Sequence, residues 1–79
     1  MKAKVIITLK NGVLDPQGKA IEGALTSLGF SGVDNVRQGK FIELDVAAAN
    51  ADEAQARVES MCEKLLSNTV IENYRVEVE

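Results

Sequence analysis

The chain has 79 residues, 46% of them hydrophobic, with 12 acidic against 9 basic side chains and a formal net charge of −3. A length this short bounds one small domain over residues 1–79, which buries roughly 60% of its unfolded surface. The acidic balance opposes nucleic-acid binding, which wants a basic stripe against phosphates, and no apolar run approaches the ~20 residues of a membrane span.

The first segment, Lys2 to Lys10, alternates Val5, Ile7 and Leu9 against Lys4, Thr8 and Lys10. A period of two predicts a strand with one buried face. Ile6 interrupts the polar side of that alternation and marks a contact outside the domain core. Asn11-Gly12 turns the chain, and Asp15 stands as an N-cap ahead of Pro16, whose missing N–H costs nothing at a first helical position. Ala20, Ile21, Ala24, Leu25 and Leu28 then recur on one helical face. Gly29 ends that helix in the left-handed conformation, with Phe30 folding back on Leu25.

Residues 32–48 predict two strands joined at Gln38-Gly39. The second is clear, because Ile42, Leu44 and Val46 alternate with Glu43 and Asp45. The first rests only on Val33 and Val36. Asn50 and Glu53 have the spacing of a capping box for a second helix, whose apolar stripe is Ala54, Val58, Met61, Cys62 and Leu65. Glu53 and Arg57 are placed to pair on its outer face. Ser67-Asn68 ends this helix, and Tyr74, Val76 and Val78 alternate with Arg75, Glu77 and Glu79 in a closing strand. The order βαββαβ predicts an α+β two-layer sandwich. In it, two helices cover one face of an antiparallel four-stranded sheet, in a ferredoxin-like arrangement or a dimer-extended variant of it.

Little in this sequence can carry chemistry. The stretch Gly12 to Ala20 superficially resembles a phosphate loop, but the glycine spacing is one residue too long and Ala20 replaces the hydroxyl that would hold magnesium. Asp15 would also set a negative charge where the anion belongs. There is no histidine and one cysteine, Cys62, so an imidazole ligand, a histidine-activated nucleophile and an internal disulfide are all excluded. Cys62 reads as a small core hydrophobe. Its lone thiol fits a reducing compartment, and Met1-Lys2-Ala3 opens no signal-peptide pattern, so the cytoplasm is the expected location. The carboxylates are scattered and show no metal-binding spacing. Arg37 and Lys40 flank the expected Gln38-Gly39 turn, Phe41 stands as an aromatic among polar neighbours, and Tyr74 and Arg75 lie in the last strand. Arginine and aromatic side chains are what contact surfaces favour. The candidate interface residues are therefore Ile6, Arg37, Lys40, Phe41, Tyr74 and Arg75, with no catalytic, cofactor or metal residue among them.

Three blocks in order, Val13-Leu14-Asp15-Pro16-Gln17-Gly18, Val36-Arg37-Gln38-Gly39-Lys40 and Asn68-Thr69-Val70-Ile71-Glu72-Asn73-Tyr74, resemble the PurS family over nearly the whole chain. PurS is the small subunit of bacterial phosphoribosylformylglycinamidine synthase, a step of de novo purine biosynthesis. The resemblance implies a homodimer without catalytic residues, bridging a glutaminase subunit and a large synthetase subunit and supporting ammonia transfer between them. It also implies that ATP and magnesium bind the large subunit, with no cofactor in this chain and no membrane or nucleic-acid partner. Unpaired strand edges are templates for another chain, so the dimer is expected through strand edges or the open sheet face, with Ile6 and Phe41 as contacts. Two rivals are open: a dimeric metabolite-sensing module of the same βαββαβ type, and an acylphosphatase-like enzyme. The second lacks the anion-gripping arginine its first loop would need.

Overall fold

The structure, a computed structural model, describes all 79 residues. Its centre is strand β1 (Lys2–Leu9), flanked by β2 (Lys40–Asp45) and β3 (Glu72–Val78) in the order β2-β1-β3, with both neighbours antiparallel to it. The alternation in β1 does what a period of two requires. Ala3, Val5 and Ile7 all point to one face and are buried there.

Helix α1 (Pro16–Ser27) precedes β2, and helix α2 (Ala51–Met61) follows it. The stripe of α2 lies on the buried sheet face, where Ala54, Val58 and Cys62 join Ala3, Val5, Ile7, Val46 and Val76 in one core of eight side chains. Its start follows the capping logic. Asn50 Oδ1 accepts the Glu53 amide at 2.8 Å, and the Glu53 carboxylate reaches back to the Ala49 amide at 3.2 Å. Arg57 does not pair with Glu53 as the i,i+4 spacing predicts. Its guanidinium donates to the carbonyl of Ala47, which ties the helix to the loop before it.

After Met61 the helix widens into a π turn, Cys62–Leu66. The Ser67 amide and hydroxyl both donate to the Cys62 carbonyl, at 3.1 and 3.0 Å. This wider turn rotates the following side chains off the stripe. Leu65, expected in the core, is 82% exposed, while Leu66 packs partly against the core instead.

Two further expectations need correction. The sheet has three strands, not four. Residues 30–39 form no strand: Gly32 and Asn35 both have positive φ, 77° and 54°, and the amides of Val36 and Gln38 are taken by side chains of Glu22 and Asp15. With such turns, and with only Val33 and Val36 as apolar positions after Phe30, the segment has no face to bury in a sheet. Gln38-Gly39 consequently makes no hairpin, and β2 pairs with β1 alone.

The second correction concerns α1. Its ends are as read: Asp15 caps it, Pro16 begins it and Gly29 closes it at φ 94°. Its apolar face, however, covers nothing. Only Gly18 is buried in the whole helix, and Leu28 is 73% exposed. Helix and return segment form an arm that projects beyond the sheet, so the molecule measures 50 × 24 × 15 Å with a radius of gyration of 15.9 Å. A compact domain of this length would have about 12 Å. One helix, not two, covers the sheet.

Candidate protein-interaction site

The base of the arm is built from the Asp15 carboxylate. Oδ1 accepts the Gly18 amide at 2.8 Å and Oδ2 accepts the Gln38 amide at 2.6 Å, so one side chain caps α1 and fastens the returning chain to it. Asp15 is only 5% exposed. These two amides, Gly18 first, hold its carboxyl below the ordinary aspartate range, with a smaller contribution from the Arg37 guanidinium. Arg37 itself donates to the carbonyls of Val13 (2.8 Å) and Lys10 (3.2 Å). Gly18 lies where a Cβ would strike the Val36 carbonyl and the Asp15 carboxyl, and Gly39 where one would strike the Ile7 carbonyl. The near-phosphate-loop stretch is thus a clasp between two backbone segments, and its acceptors are already used.

The six candidate residues separate into three places. Phe41, Ile6 and Arg75 stand side by side across the three strands, since Ile6 is in register with both neighbours. They lie on the sheet face opposite α2. Phe41 is 57% exposed there, and ion pairs surround this apolar centre, Lys2–Glu43 at 3.0 Å, Lys4–Glu79 at 2.5 Å and Arg75–Glu77 at 3.4 Å. Lys40 and Tyr74 flank Ile7 on the α2 face instead. Lys40 reaches Glu72 at 3.4 Å, and the Tyr74 hydroxyl donates to Glu63 at 2.9 Å, which raises its pKa. Arg37 is a brace of the arm. An apolar centre within a polar, ion-paired rim is the anatomy of a protein contact.

A second surface escaped the sequence reading. Because α2 lies over β1 and β3 while α1 stands away, the α2 side of β2 is uncovered. Ile42 and Leu44, with Met61, Leu65 and Leu66 from the end of α2 and its π turn, line an open groove of about 530 Å³ there, with Arg57 and Lys64 at its rim. The alternation of Ile42 and Leu44 signals a buried face, but says nothing of what buries it. No three carboxylate, thiol or imidazole groups converge as a metal site would need, and no helix is long and apolar enough to cross a membrane.

Comparison with known proteins agrees with this architecture. The family model PurS, described as phosphoribosylformylglycinamidine (FGAM) synthase, matches residues 2–79. The phosphoribosylformylglycinamidine synthase subunit PurS of Bacillus subtilis is 51% identical over 78 residues, covering 99% of this chain and 92% of that protein. Among solved structures, PurS of Methanocaldococcus jannaschii is described as one of the subunits of formylglycinamide ribonucleotide amidotransferase in the purine biosynthetic pathway. It superposes with a TM-score of 0.88 at 46% identity, covering 99% of this chain and 94% of that one. The purS subunit from Thermotoga maritima gives 0.89 at 37% identity over 96% and 87% of the two chains. A match of this extent leaves one conclusion: the chain belongs to the PurS family of phosphoribosylformylglycinamidine synthase.

Proposed function

We infer that this chain is a non-catalytic subunit of phosphoribosylformylglycinamidine synthase, a glutamine-using ligase of purine biosynthesis. As a homodimer, it bridges a glutaminase subunit and a large synthetase subunit and supports ammonia transfer between them during the ATP-dependent formation of the amidine. ATP and magnesium belong to the large subunit on this reading. The observation that carries it is the row Phe41–Ile6–Arg75 on the bare sheet face, an apolar and arginine-bearing patch in a chain of the PurS family. A side chain such as Phe41, which holds its exposed ring on a three-stranded platform, is preorganised for a partner and loses little entropy on contact.

Reconstitution tests the role. With glutaminase and synthetase subunits present, glutamine-dependent amidine formation is expected only when this chain is added, whereas ammonium-dependent formation proceeds without it. Phe41→Asp is expected to raise the concentration of this chain needed for half-maximal glutamine-dependent turnover about tenfold, equivalent to about 1.4 kcal/mol of contact energy. Glutamine-dependent turnover that ignores the chain altogether would refute the bridging role. A shift of its melting temperature by a purine-pathway metabolite, without partner proteins, would then favour the sensing module.

A further inference from the structure

We propose that the cavity at the base of the arm binds a free α-amino acid with an apolar side chain, its carboxylate on Lys40 and its ammonium on Glu72. The site is separate from the bare sheet face and from the groove along β2. It stands whether or not the chain bridges other subunits.

The cavity measures about 470 Å³, a volume ordinary for a small-molecule site. Three stretches far apart in sequence enclose it, Val13 to Gln17, Gln38 to Lys40, and Ile71 with Glu72. They belong to the same three blocks on which the resemblance to the PurS family rests. Ile7, Leu9, Val13, Leu14 and Ile71 give it apolar walls. Such walls fit an aliphatic side chain and leave a charged one without a partner.

The polar end of the cavity is one ion pair, and it is incompletely made. Glu72 is buried, at 9% exposure. Its Oε1 accepts the Asn68 amide at 2.6 Å. Oε2 has the Lys40 ammonium at 3.4 Å, beyond the roughly 2.7–2.9 Å of a close charged hydrogen bond. A carboxylate oxygen so deeply set gains from a nearer donor, and a ligand ammonium supplies one. The Lys40 side chain is 64% exposed, so it can turn to a ligand carboxylate without disturbing β2.

An α-amino acid carries both charges on one carbon and therefore pairs head to tail with Lys40 and Glu72. One charge of each sign also selects among ligands. A phosphate or a dicarboxylate would bring surplus negative charge against Glu72 and Asp15. Asp15 has nothing left to offer a ligand, because both its oxygens hold backbone amides. A plain amine leaves Lys40 unanswered, and a plain carboxylate leaves Glu72 as it was.

Isothermal titration of the whole chain with L-leucine as the probe tests the site. Saturable binding of one L-leucine per chain is expected. The amide resonances of Gly39, Lys40, Ile71 and Glu72 are expected to shift together, while those of Glu43 and Glu77 stay in place. Isopentylamine lacks the carboxylate and 4-methylpentanoate lacks the ammonium, and each is expected to bind at least about tenfold more weakly. L-Glutamate is expected to lose as much against the apolar walls. Lys40→Gln and Glu72→Gln are expected to weaken L-leucine by about the same factor. The glutamine amide at position 72 can still accept the Asn68 amide. Should Glu72→Gln nevertheless fail to fold, Lys40→Gln and the two truncated ligands decide the question. Equal affinity for L-leucine and isopentylamine, or an affinity for L-leucine that Lys40→Gln leaves unchanged, overturns the proposal. So does the absence of heat and of resonance shifts at the solubility limit of L-leucine.

Discussion

Asp15 shows how one side chain replaces a missing strand. Its two carboxylate oxygens take the Gly18 and Gln38 amides, so the segment after α1 is fixed by a side chain where a sheet would have used a backbone ladder. The carboxyl is held low in the folded chain. Its contribution is therefore complete above the unfolded value of about 3.9 and is lost as pH falls through the lower folded value. As pH falls below the ordinary aspartate range, the Gly18 and Gln38 amide resonances are expected to titrate together, and Asp15→Asn is expected to abolish that titration. The sequence made Asp15 legible as a cap, because N-caps are local. Its grip on Gln38 was not legible, since nothing local pairs residues so far apart.

Gly18 and Gly39 are a matched test at the same scale. Helix propensity favours Ala over Gly by about 1 kcal/mol inside a helix, yet at Gly18 a new methyl meets a backbone carbonyl and the capping carboxyl. Overpacking of that kind costs about 1–3 kcal/mol, so Gly18→Ala is expected to destabilise in chemical denaturation. Gly39→Ala is expected to do the same, because the Ile7 carbonyl belongs to the central strand and cannot yield.

Among the elements, α2 and its π turn divide the apolar stripe in two. Val58 is fully buried, so Val58→Ala is expected to lower stability by about 2 kcal/mol, a large share for a core of eight side chains. Leu65→Ala is expected to stay within about 0.5 kcal/mol, as surface changes do. Periodicity placed both residues on one stripe. It was right as far as Met61 and Cys62, but a change from i+4 to i+5 bonding leaves no mark on hydrophobic spacing. Helix α1 teaches the complementary lesson: its caps and apolar face were readable, but amphipathicity states that a face seeks cover and does not name the chain that supplies it. The missing fourth strand belongs here too, since Val33 and Val36 alone could not outweigh the glycine turns around them.

At the scale of the molecule, the core of eight side chains is small and the arm stands outside it. The homodimer proposed above would tie folding to concentration, so the melting temperature is expected to rise with protein concentration in scanning calorimetry. The family, the two helices and the three strands that do form were evident from the sequence, because they reside in contiguous blocks and local periodicity, whereas the expected fourth strand does not form. The 50 Å length was not evident. It depends on whether one helix turns back over the sheet or outward from it, and a helix looks the same in sequence either way.

The order β2-β1-β3 also governs how this chain comes to be folded. The strand made first lies in the middle, and its register partners run from Lys40 to Asp45 on one side and from Glu72 to Val78 on the other. Neither pairing is a hairpin, because α1 lies between β1 and β2 and β3 follows only after α2. Loop-closure entropy must be met twice before β1 is paired on both edges, a high contact order that slows folding compared with a helical protein of equal size. During synthesis, Val5, Ile6 and Ile7 emerge early and wait for partners encoded much later. That interval exposes an unpaired β-prone strand, and it is then, before the sheet closes, that the chain is most open to aggregation.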